Sequence, residues 1–194
     1  MPLCYYGHPA LERPSTDIQV IDEEIELLAE QMILTMYENE GIGLAAPQIA
    51  RNINLLVLSI PTPEADGGSA TIASPGERVL LPRMPLAVVN PVLADFSVHT
   101  SVAEEGCLSI PSVRGPVERP ELVELHGQLI DGQRVRYNCG GLLARCLQHE
   151  CDHLCGKLFI DRVDVEALQE MSPKLRKLRR ETLQALRKQR KRRG

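Results

Sequence analysis

The stretch HECDH at residues 149–153 fits the pattern H-E-x-x-H and lies in a predicted helix over residues 140–154. Residues four apart lie on one helix face, about one turn or 5.4 Å apart, so His149 and His153 can bind one metal ion. Glu150 points about 100° away from that face, where it can reach a water molecule without binding the ion. The stretch therefore predicts a metal-binding helix that carries a general base.

A catalytic metal site of this type needs a third protein ligand and one open position. The nearby cysteines lie too far along the helix or on its opposite face: Cys139, Cys146, Cys151 and Cys155. Cys107, Cys4 or an acidic residue elsewhere remain as alternatives. Cys107 is preferred, because Gly106 allows a close backbone approach and a thiolate with two imidazoles leaves one tetrahedral position for water.

Patterns on either side of this helix predict an α+β fold. Hydrophobic residues at three- and four-residue spacing predict a helix over residues 22–39 with Asp22 as its N-cap. The segment GIGLAAPQ (41–48) is too rich in small residues to be predicted as a helix or a regular strand. Strands are predicted at 54–60, 86–97, 117–130 and 133–138, and Asp131-Gly132 predicts a hairpin. We therefore expect antiparallel strands packed around a central metal-binding HExxH helix, with a C-terminal helix.

The predicted domain organisation is a single catalytic domain over residues 1–172 and a basic helical tail over residues 173–194. Ser172-Pro173 is a favourable N-cap and first position for the last helix. Residues 61–82, which are rich in Pro and Gly, are predicted to be an inserted loop or flap.

The formal net charge of −4 conceals an uneven distribution. Eleven of the 22 Lys and Arg residues but one of the 26 acidic residues follow Pro173, so the tail carries +10 and the body −14. This asymmetry predicts that the tail binds a polyanion.

The sequence also limits the location of the protein. It has no apolar run near the roughly 18 residues that a membrane span needs. Its first residues lack the pattern of a secretory signal peptide. We therefore expect a cytoplasmic protein without a membrane partner, whose six cysteines are thiols or metal ligands rather than disulfides.

Three motifs in this order, GIGLAAPQ (41–48), EGCLS (105–109) and QHECDHL (148–154), resemble the peptide deformylase family, and the form of EGCLS is similar to the bacterial type 1 class. The resemblance implies a metallohydrolase that removes the formyl group from the N-terminal formyl-methionine of nascent polypeptides and releases formate. It also implies one divalent metal ion, Fe²⁺ physiologically, although thiolate and imidazole ligands suit Zn²⁺ and admit Ni²⁺ or Co²⁺.

The resemblance assigns roles residue by residue. It implies that Cys107, His149 and His153 bind the metal ion and that Glu150 is the general acid/base. It implies that Gln48 and the backbone N–H of Leu108 form the oxyanion hole. The residues implied in substrate binding are of two kinds: Ile42, Gly43 and Gly106 pair with the peptide backbone, and Ile42, Leu142, Cys146 and the His149 ring line the methionine pocket.

Arg145 stands where many family members have an apolar residue, so it either narrows or charges the pocket rim or points to solvent. The resemblance further implies that the basic C-terminal helix docks on the ribosome, and it implies no DNA partner. Two rival functions remain: a zinc peptidase with the same H-E-x-x-H motif, and a catalytically silent relative that binds ribosomes or nucleic acid.

Overall fold

The computed structural model of the chain describes residues 1–61 and 74–193, which form a mixed fold of helices and two antiparallel sheets. The strands are β1 (Gly43–Ala45), β2 (Leu55–Leu58), β3 (Leu86–Ala94), β4 (Thr100–Cys107), β5 (Ile110–Pro120), β6 (Val123–Leu129) and β7 (Arg134–Cys139). The α-helices are α1 (Glu23–Glu38), α2 (Pro75–Leu80), α3 (Gly141–Leu154) and α4 (Val165–Arg193). The expected combination of helices and antiparallel sheet is confirmed. Within the described ranges, no helix is long and apolar enough to span a membrane.

The larger sheet has the strand order β1-β2-β3-β6-β7 and is covered by a helix on each face. Alternate residues of β2 point to opposite faces. Leu56 packs in one core cluster with Leu147 of α3, whereas Leu55 packs in another with Met32 of α1. Because both faces are buried, β2 is apolar throughout, as its continuous aliphatic run predicts.

Local patterns in the sequence correctly predict the positions of α1, of α3 and of the hairpin between β6 and β7. The Asp22 carboxylate accepts a hydrogen bond from the backbone N–H of Ile25 (3.0 Å), which is the predicted N-cap of α1. Gly132 adopts φ +85° between β6 and β7, a conformation that glycine reaches without strain. Gly156, with φ +71°, follows the end of α3.

The prediction of one strand over residues 117–130 is wrong in one respect, because these residues belong to two strands in different sheets. β5 pairs with β4 in a separate two-stranded sheet, and β6 pairs with β3 in the large one. The chain changes sheets at Leu122, whose backbone N–H donates to Ser97 Oγ (3.0 Å). Pro120 and Glu121 stand at this change, but β-forming residues before and after them led to the prediction of one continuous strand.

The prediction of a loop or flap over residues 61–82 is wrong for its described part. Residues 75–80 form α2, which Ser74 and Glu77 stabilise through a reciprocal capping box. Ser74 Oγ also accepts a hydrogen bond from the backbone N–H of Gly140 (2.9 Å) at the start of α3. This end of the segment is therefore packed against the body, and the remainder of the predicted flap, 62–73, lies outside the described residues.

The last helix begins at Val165 rather than at the predicted Ser172-Pro173. Asp164 Oδ1 accepts a hydrogen bond from the backbone N–H of Ala167 (2.7 Å) and caps the helix earlier. Pro173 lies inside α4 on its exposed side, where solvent can satisfy the carbonyl that proline leaves unpaired. Met171 and Leu175 are buried in a core cluster with β5, so α4 runs continuously across the predicted boundary between body and tail.

Candidate active site

Three side chains with metal-ligand atoms meet between the small sheet and α3. One ligand atom from each of Cys107, His149 and His153 lies within 4.8 Å of the other two. Cys107 ends β4, and Cys107 Sγ lies 3.2 Å from His153 Nε2. The histidines follow one another by one turn of α3, and their ring centroids are 5.1 Å apart. The structure thus brings together the three residues that sequence analysis selected.

The chemistry of these atoms fits a metal ion. Around a tetrahedral ion with ligand bonds of about 2.0–2.3 Å, donor atoms lie about 3.3–3.8 Å apart. The observed upper limit of 4.8 Å therefore requires only small side-chain adjustments. One thiol and two imidazoles form a donor set that suits Zn²⁺ and other borderline divalent ions. Cys4, the open alternative, instead packs in the core cluster that contains Leu11 and Leu175.

A tight turn at the end of β4 positions the Cys107 thiol. The β4–β5 register shifts between Gly106 and Cys107, and Cys107 pairs with Ile110. The backbone N–H of Ser109 points back to Cys107 Sγ at 3.4 Å, and Gln48 Nε2 donates to the same sulfur at 3.5 Å. The sulfur therefore accepts hydrogen bonds from both sides, which holds it in place at the end of β4.

The carboxylate of Glu105 orients His149. Glu105 Oε2 bonds to His149 Nδ1 (2.9 Å) and to Arg119 Nη2 (2.9 Å), while Oε1 accepts from Arg119 Nε (2.6 Å) and Arg145 Nη1 (2.8 Å). Burial alone would raise the pKa of Glu105, but the hydrogen bonds from His149 and Arg119 outweigh it and lower the pKa to about 2. An ionised carboxylate accepts only, so Nδ1 of His149 carries a hydrogen and Nε2 faces Cys107.

The two histidines differ in protonation. Burial lowers the pKa of His149, but its hydrogen bonds to Cys107 and Glu105 outweigh burial and raise the pKa to about 10. Burial holds the pKa of His153 well below its usual value, and the cation on His149 lowers it further. Its Nδ1 has no hydrogen-bond partner among the described residues. His153 is therefore a neutral imidazole whose Nε2 faces Cys107.

Glu150 is a buried carboxylate at the edge of a pocket of about 730 Å³. Burial is the main reason that the pKa of Glu150 rises to about 7, although the cations of His149 and Arg119 partly oppose the rise. Its Oε2 has no partner within the described parts of the chain. A Cβ at Gly43 would lie 2.8 Å from Cys146 Sγ and closer still to Glu150 Oε1, so only glycine fits there.

Gln48 is held beside the Cys107 sulfur by its own local structure. The segment 41–48 contains the short strand β1 and the start of a 3₁₀ turn over Ala46–Ile49, so the expectation that it holds no regular strand is wrong for three residues. Gln48 Oε1 accepts a hydrogen bond from the backbone N–H of Ala45 (2.8 Å), and its Nε2 also reaches Ser109 Oγ (3.3 Å). The amide is thereby fixed with its donor toward Cys107.

The other predicted site residues line the same pocket. Every one except His153, which is buried behind the pocket, lines it: Ile42, Gly43, Gln48, Gly106, Cys107, Leu108, Leu142, Cys146, His149 and Glu150. The exposed parts of Ile42 and Leu142 lie at its mouth. Predictions from three distant segments thus converge on one cavity.

Sequence analysis missed the buried charge network behind the histidines. Arg119 joins Glu105 to Asp152 through a 2.9 Å bond from Nη1 to Oδ2. Arg162 continues the network with Nε and Nη2 donating to the same aspartate (2.6 and 2.5 Å). Arg145 does not point to solvent, because it lines the pocket and its guanidinium is paired with Glu105. No local pattern marks these residues, since 33 positions separate Arg119 from Asp152.

Comparison with known proteins identifies the family of the chain. The sequence model of the family described as polypeptide deformylase matches residues 1–169. The chain belongs to the polypeptide deformylase family. A peptide deformylase of Thermosynechococcus vestitus is 41% identical over 170 residues, which are 87% of this chain and 81% of that protein.

Solved peptide deformylases have the same fold. The structure of the Synechococcus elongatus enzyme in complex with actinonin is 38% identical, with a TM-score of 0.76 over 90% of this chain and 85% of that one. The Plasmodium falciparum enzyme is 29% identical, with a TM-score of 0.78 over 93% of this chain and 96% of that one. The resemblance found in the sequence is confirmed, and the chain is a hydrolase that removes the N-formyl group from nascent polypeptides.

Replacing Glu105 by glutamine is expected to destabilise the fold strongly, because Arg145 would lose the carboxylate that pairs with it and buried Arg119 would keep only its ion pair with Asp152. We expect a loss of about 3–5 kcal/mol in the free energy of unfolding. Urea unfolding of chelator-treated protein measures it without a contribution from bound metal. Glu24→Gln, in an exposed ion pair with Arg51, is the matched control and should cost less than about 1 kcal/mol. Equal losses in the two variants would contradict this role of Glu105.

Proposed function

We propose that Cys107, His149 and His153 hold one divalent metal ion, and that the adjoining pocket binds the formyl-methionine end of a nascent chain. The proposal is supported by the convergence of three donor atoms within 4.8 Å beside a pocket that Cys107, His149 and Glu150 line. We propose Fe²⁺ as the ion in the cell, with Zn²⁺, Ni²⁺ or Co²⁺ as substitutes that the same donors accept.

A divalent ion in this position supplies a Lewis acid that makes water nucleophilic near neutral pH. Glu150 accepts the proton that the attacking water loses and passes it to the departing α-amine. The unpartnered Oε2 of Glu150 leaves one carboxylate oxygen available for this transfer.

The negative charge that develops on the formyl oxygen is stabilised by two donors of this chain. Gln48 Nε2 and the backbone N–H of Leu108 both belong to the pocket wall beside Cys107. Gln48 is 1% exposed, and its Oε1 is already bonded to the backbone of Ala45, so the donor is oriented before substrate arrives. Preorganised donors of this kind lower the barrier because they need no rearrangement during the reaction.

The substrate backbone pairs with strand edges on the two sides of the pocket. Among the described strands, β1 pairs with β2 and β4 pairs with β5, so each has a second edge. Gly43 of β1 and Gly106 of β4 line the pocket, together with Ile42. An extended peptide can add to such an edge through main-chain hydrogen bonds. The methionine side chain enters beside Ile42, Leu142, Cys146 and the His149 ring.

The two rival functions are less well supported. A zinc peptidase would use the same H-E-x-x-H helix, but the match to the deformylase family covers residues 1–169 and includes the Cys107 segment. A catalytically silent relative would be expected to lack part of the reactive group. Cys107, His149 and His153 lie together, and Glu150 is placed next to them.

We propose that the second half of α4 docks on ribosomal RNA, which would bring a cytoplasmic enzyme close to the nascent chains on which it acts. The basic side chains described in this half of the helix are exposed, including Arg187, Lys188 and Lys191. The catalytic unit comprises residues 1–172 together with the turns of α4 that bury Leu175 and contact Leu178. The separable tail in this proposal therefore begins after Arg180.

Glu150→Gln is expected to reduce formate release from formyl-Met-Ala-Ser by at least about 100-fold, because the glutamine keeps the shape but cannot accept a proton. The assay uses anaerobically prepared, metal-replete protein. Glu170→Gln, at an exposed position of α4 outside the pocket lining, is the matched control and should change the rate less than about twofold. Absence of formate with the parent enzyme would refute the proposed function, whereas equal rates in parent and Glu150→Gln would refute only the role of Glu150.

Removing residues 181–194 should abolish co-sedimentation with ribosomes at low salt and leave hydrolysis of the short formyl-peptide nearly unchanged. The truncation removes six Lys and Arg residues but keeps Leu175 and Leu178. Binding of the full chain should weaken steeply as salt rises, because contacts with phosphates release counterions. Unchanged sedimentation of the truncated protein would contradict docking through the tail.

A further inference from the structure

Arg145 lies on α3, one turn before His149, and connects three backbone segments. Its Nη1 donates to Glu105 Oε1 (2.8 Å) and to the backbone carbonyl of Val117 on β5 (3.0 Å). Its Nη2 donates to the carbonyl (2.8 Å) and hydroxyl (3.0 Å) oxygens of Ser101 on β4. The side chain is 14% exposed, so most of this arrangement is shielded from water. One guanidinium therefore ties α3 to both strands of the small sheet.

This connection matters because the metal-ligand atoms come from two separate parts of the fold. Cys107 belongs to the β4–β5 sheet, whereas His149 and His153 belong to α3, which packs on the larger sheet. The distance between the sulfur and the imidazoles is therefore set by how the small sheet sits against α3. Arg145 spans that junction directly and, through Glu105, also bonds to the carboxylate that orients His149.

We propose that Arg145 is a positioning residue that holds the β4–β5 sheet against α3 and so keeps Cys107 Sγ at ligand distance from His149 and His153. The inference rests on the proposed metal site and adds a residue that acts on it without touching the ion. Arg145 also lines the pocket, and its positive charge is paired there with the carboxylate of Glu105.

This role requires the two terminal nitrogens of the guanidinium, which donate in different directions at the same time. A lysine at position 145 could still pair with Glu105, but one ammonium cannot bond at the same time to the separated oxygens of Ser101 and Val117. A methionine approximates the aliphatic part of the side chain and loses all four bonds. The two variants therefore separate the charge of Arg145 from its bridging geometry.

The test measures Zn²⁺ affinity of the full chain by competition with a chelator, for the parent, Arg145→Met, Arg145→Lys and a control, Arg136→Met. Arg136 lies on β7, is 68% exposed and pairs with Glu124, away from the pocket lining. We expect the Zn²⁺ dissociation constant to rise about 10-fold or more in Arg145→Met, because groups that support metal ligands typically contribute 10–100-fold. Arg145→Lys should recover less than half of this loss on a logarithmic scale, and Arg136→Met should stay within about twofold of the parent.

Co²⁺-loaded protein provides a second readout that a merely structural role would not change. The thiolate-to-Co²⁺ charge-transfer absorption should weaken in both Arg145 variants and stay unchanged in Arg136→Met, because Cys107 alone supplies the sulfur. If Arg145→Met does not fold, Arg145→Lys decides the question, since it keeps a cation beside Glu105.

Three results would contradict the proposal, and they distinguish an error in the metal site from an error in the role of Arg145. If the parent does not bind Zn²⁺, the proposed metal site is refuted, and this inference with it. If the parent binds Zn²⁺ and both Arg145 variants bind it within about twofold with an unchanged Co²⁺ spectrum, the metal site stands and the positioning role is refuted. A higher KM for formyl-methionine peptides with unchanged metal affinity would refute it as well, in favour of a role in substrate specificity.

Discussion

The buried carboxylate of Glu105 is the group on which the rest of the site depends. It accepts hydrogen bonds from two arginines and from His149, and each of these donors lies on an element other than β4. Removing a carboxylate from water is costly, and the cost is offset only when its oxygens are fully paired. Glu105 meets that condition, since both oxygens bond twice. The bond to Glu105 fixes the hydrogen of His149 on Nδ1, so that the other ring nitrogen, Nε2, faces Cys107.

The same network extends from the site to the start of the terminal helix. Asp152 is buried between Arg119 and Arg162, and it lies directly before His153 on α3. Because successive residues of a helix point in different directions, α3 can direct its histidines toward Cys107 and its aspartate toward the arginines. Arg162 lies just before the Asp164 cap of α4. The orientation of the histidines is therefore connected, through paired charges, to the place where the basic helix begins.

Much of the fold follows from local signals in the sequence. The Asp22 cap, the Asp131-Gly132 turn and the H-E-x-x-H spacing each act within a few residues, and each predicts an element that the structure contains. The same holds for the site, because the motif residues carry their own turn or helix with them. Their convergence in one pocket follows from packing, but the resemblance to a known family made it predictable.

The features that were not predicted depend on contacts between distant residues. β4 is exposed over most of its length and shows no alternation, so nothing in its composition marks a strand. The division of residues 110–129 between two sheets is determined by tertiary packing. The early start of α4 is an exception, because it follows a local cap at Asp164 that was not predicted. The arginine network is non-local as well: the role of Arg145 depends on oxygens 28 and 44 residues away in the chain. Sequence periodicity contains no information about such pairs.

X-ray absorption spectroscopy of the zinc-loaded protein tests the metal site most directly, because it reports the type and distance of the ligand atoms without reference to activity. The donors Cys107, His149 and His153 predict one sulfur at about 2.3 Å and two imidazole nitrogens at about 2.0 Å. The sulfur contribution should disappear in Cys107→Ser. A zinc ion without a sulfur ligand in the parent protein, or with the same sulfur ligand after that substitution, would contradict the site described above.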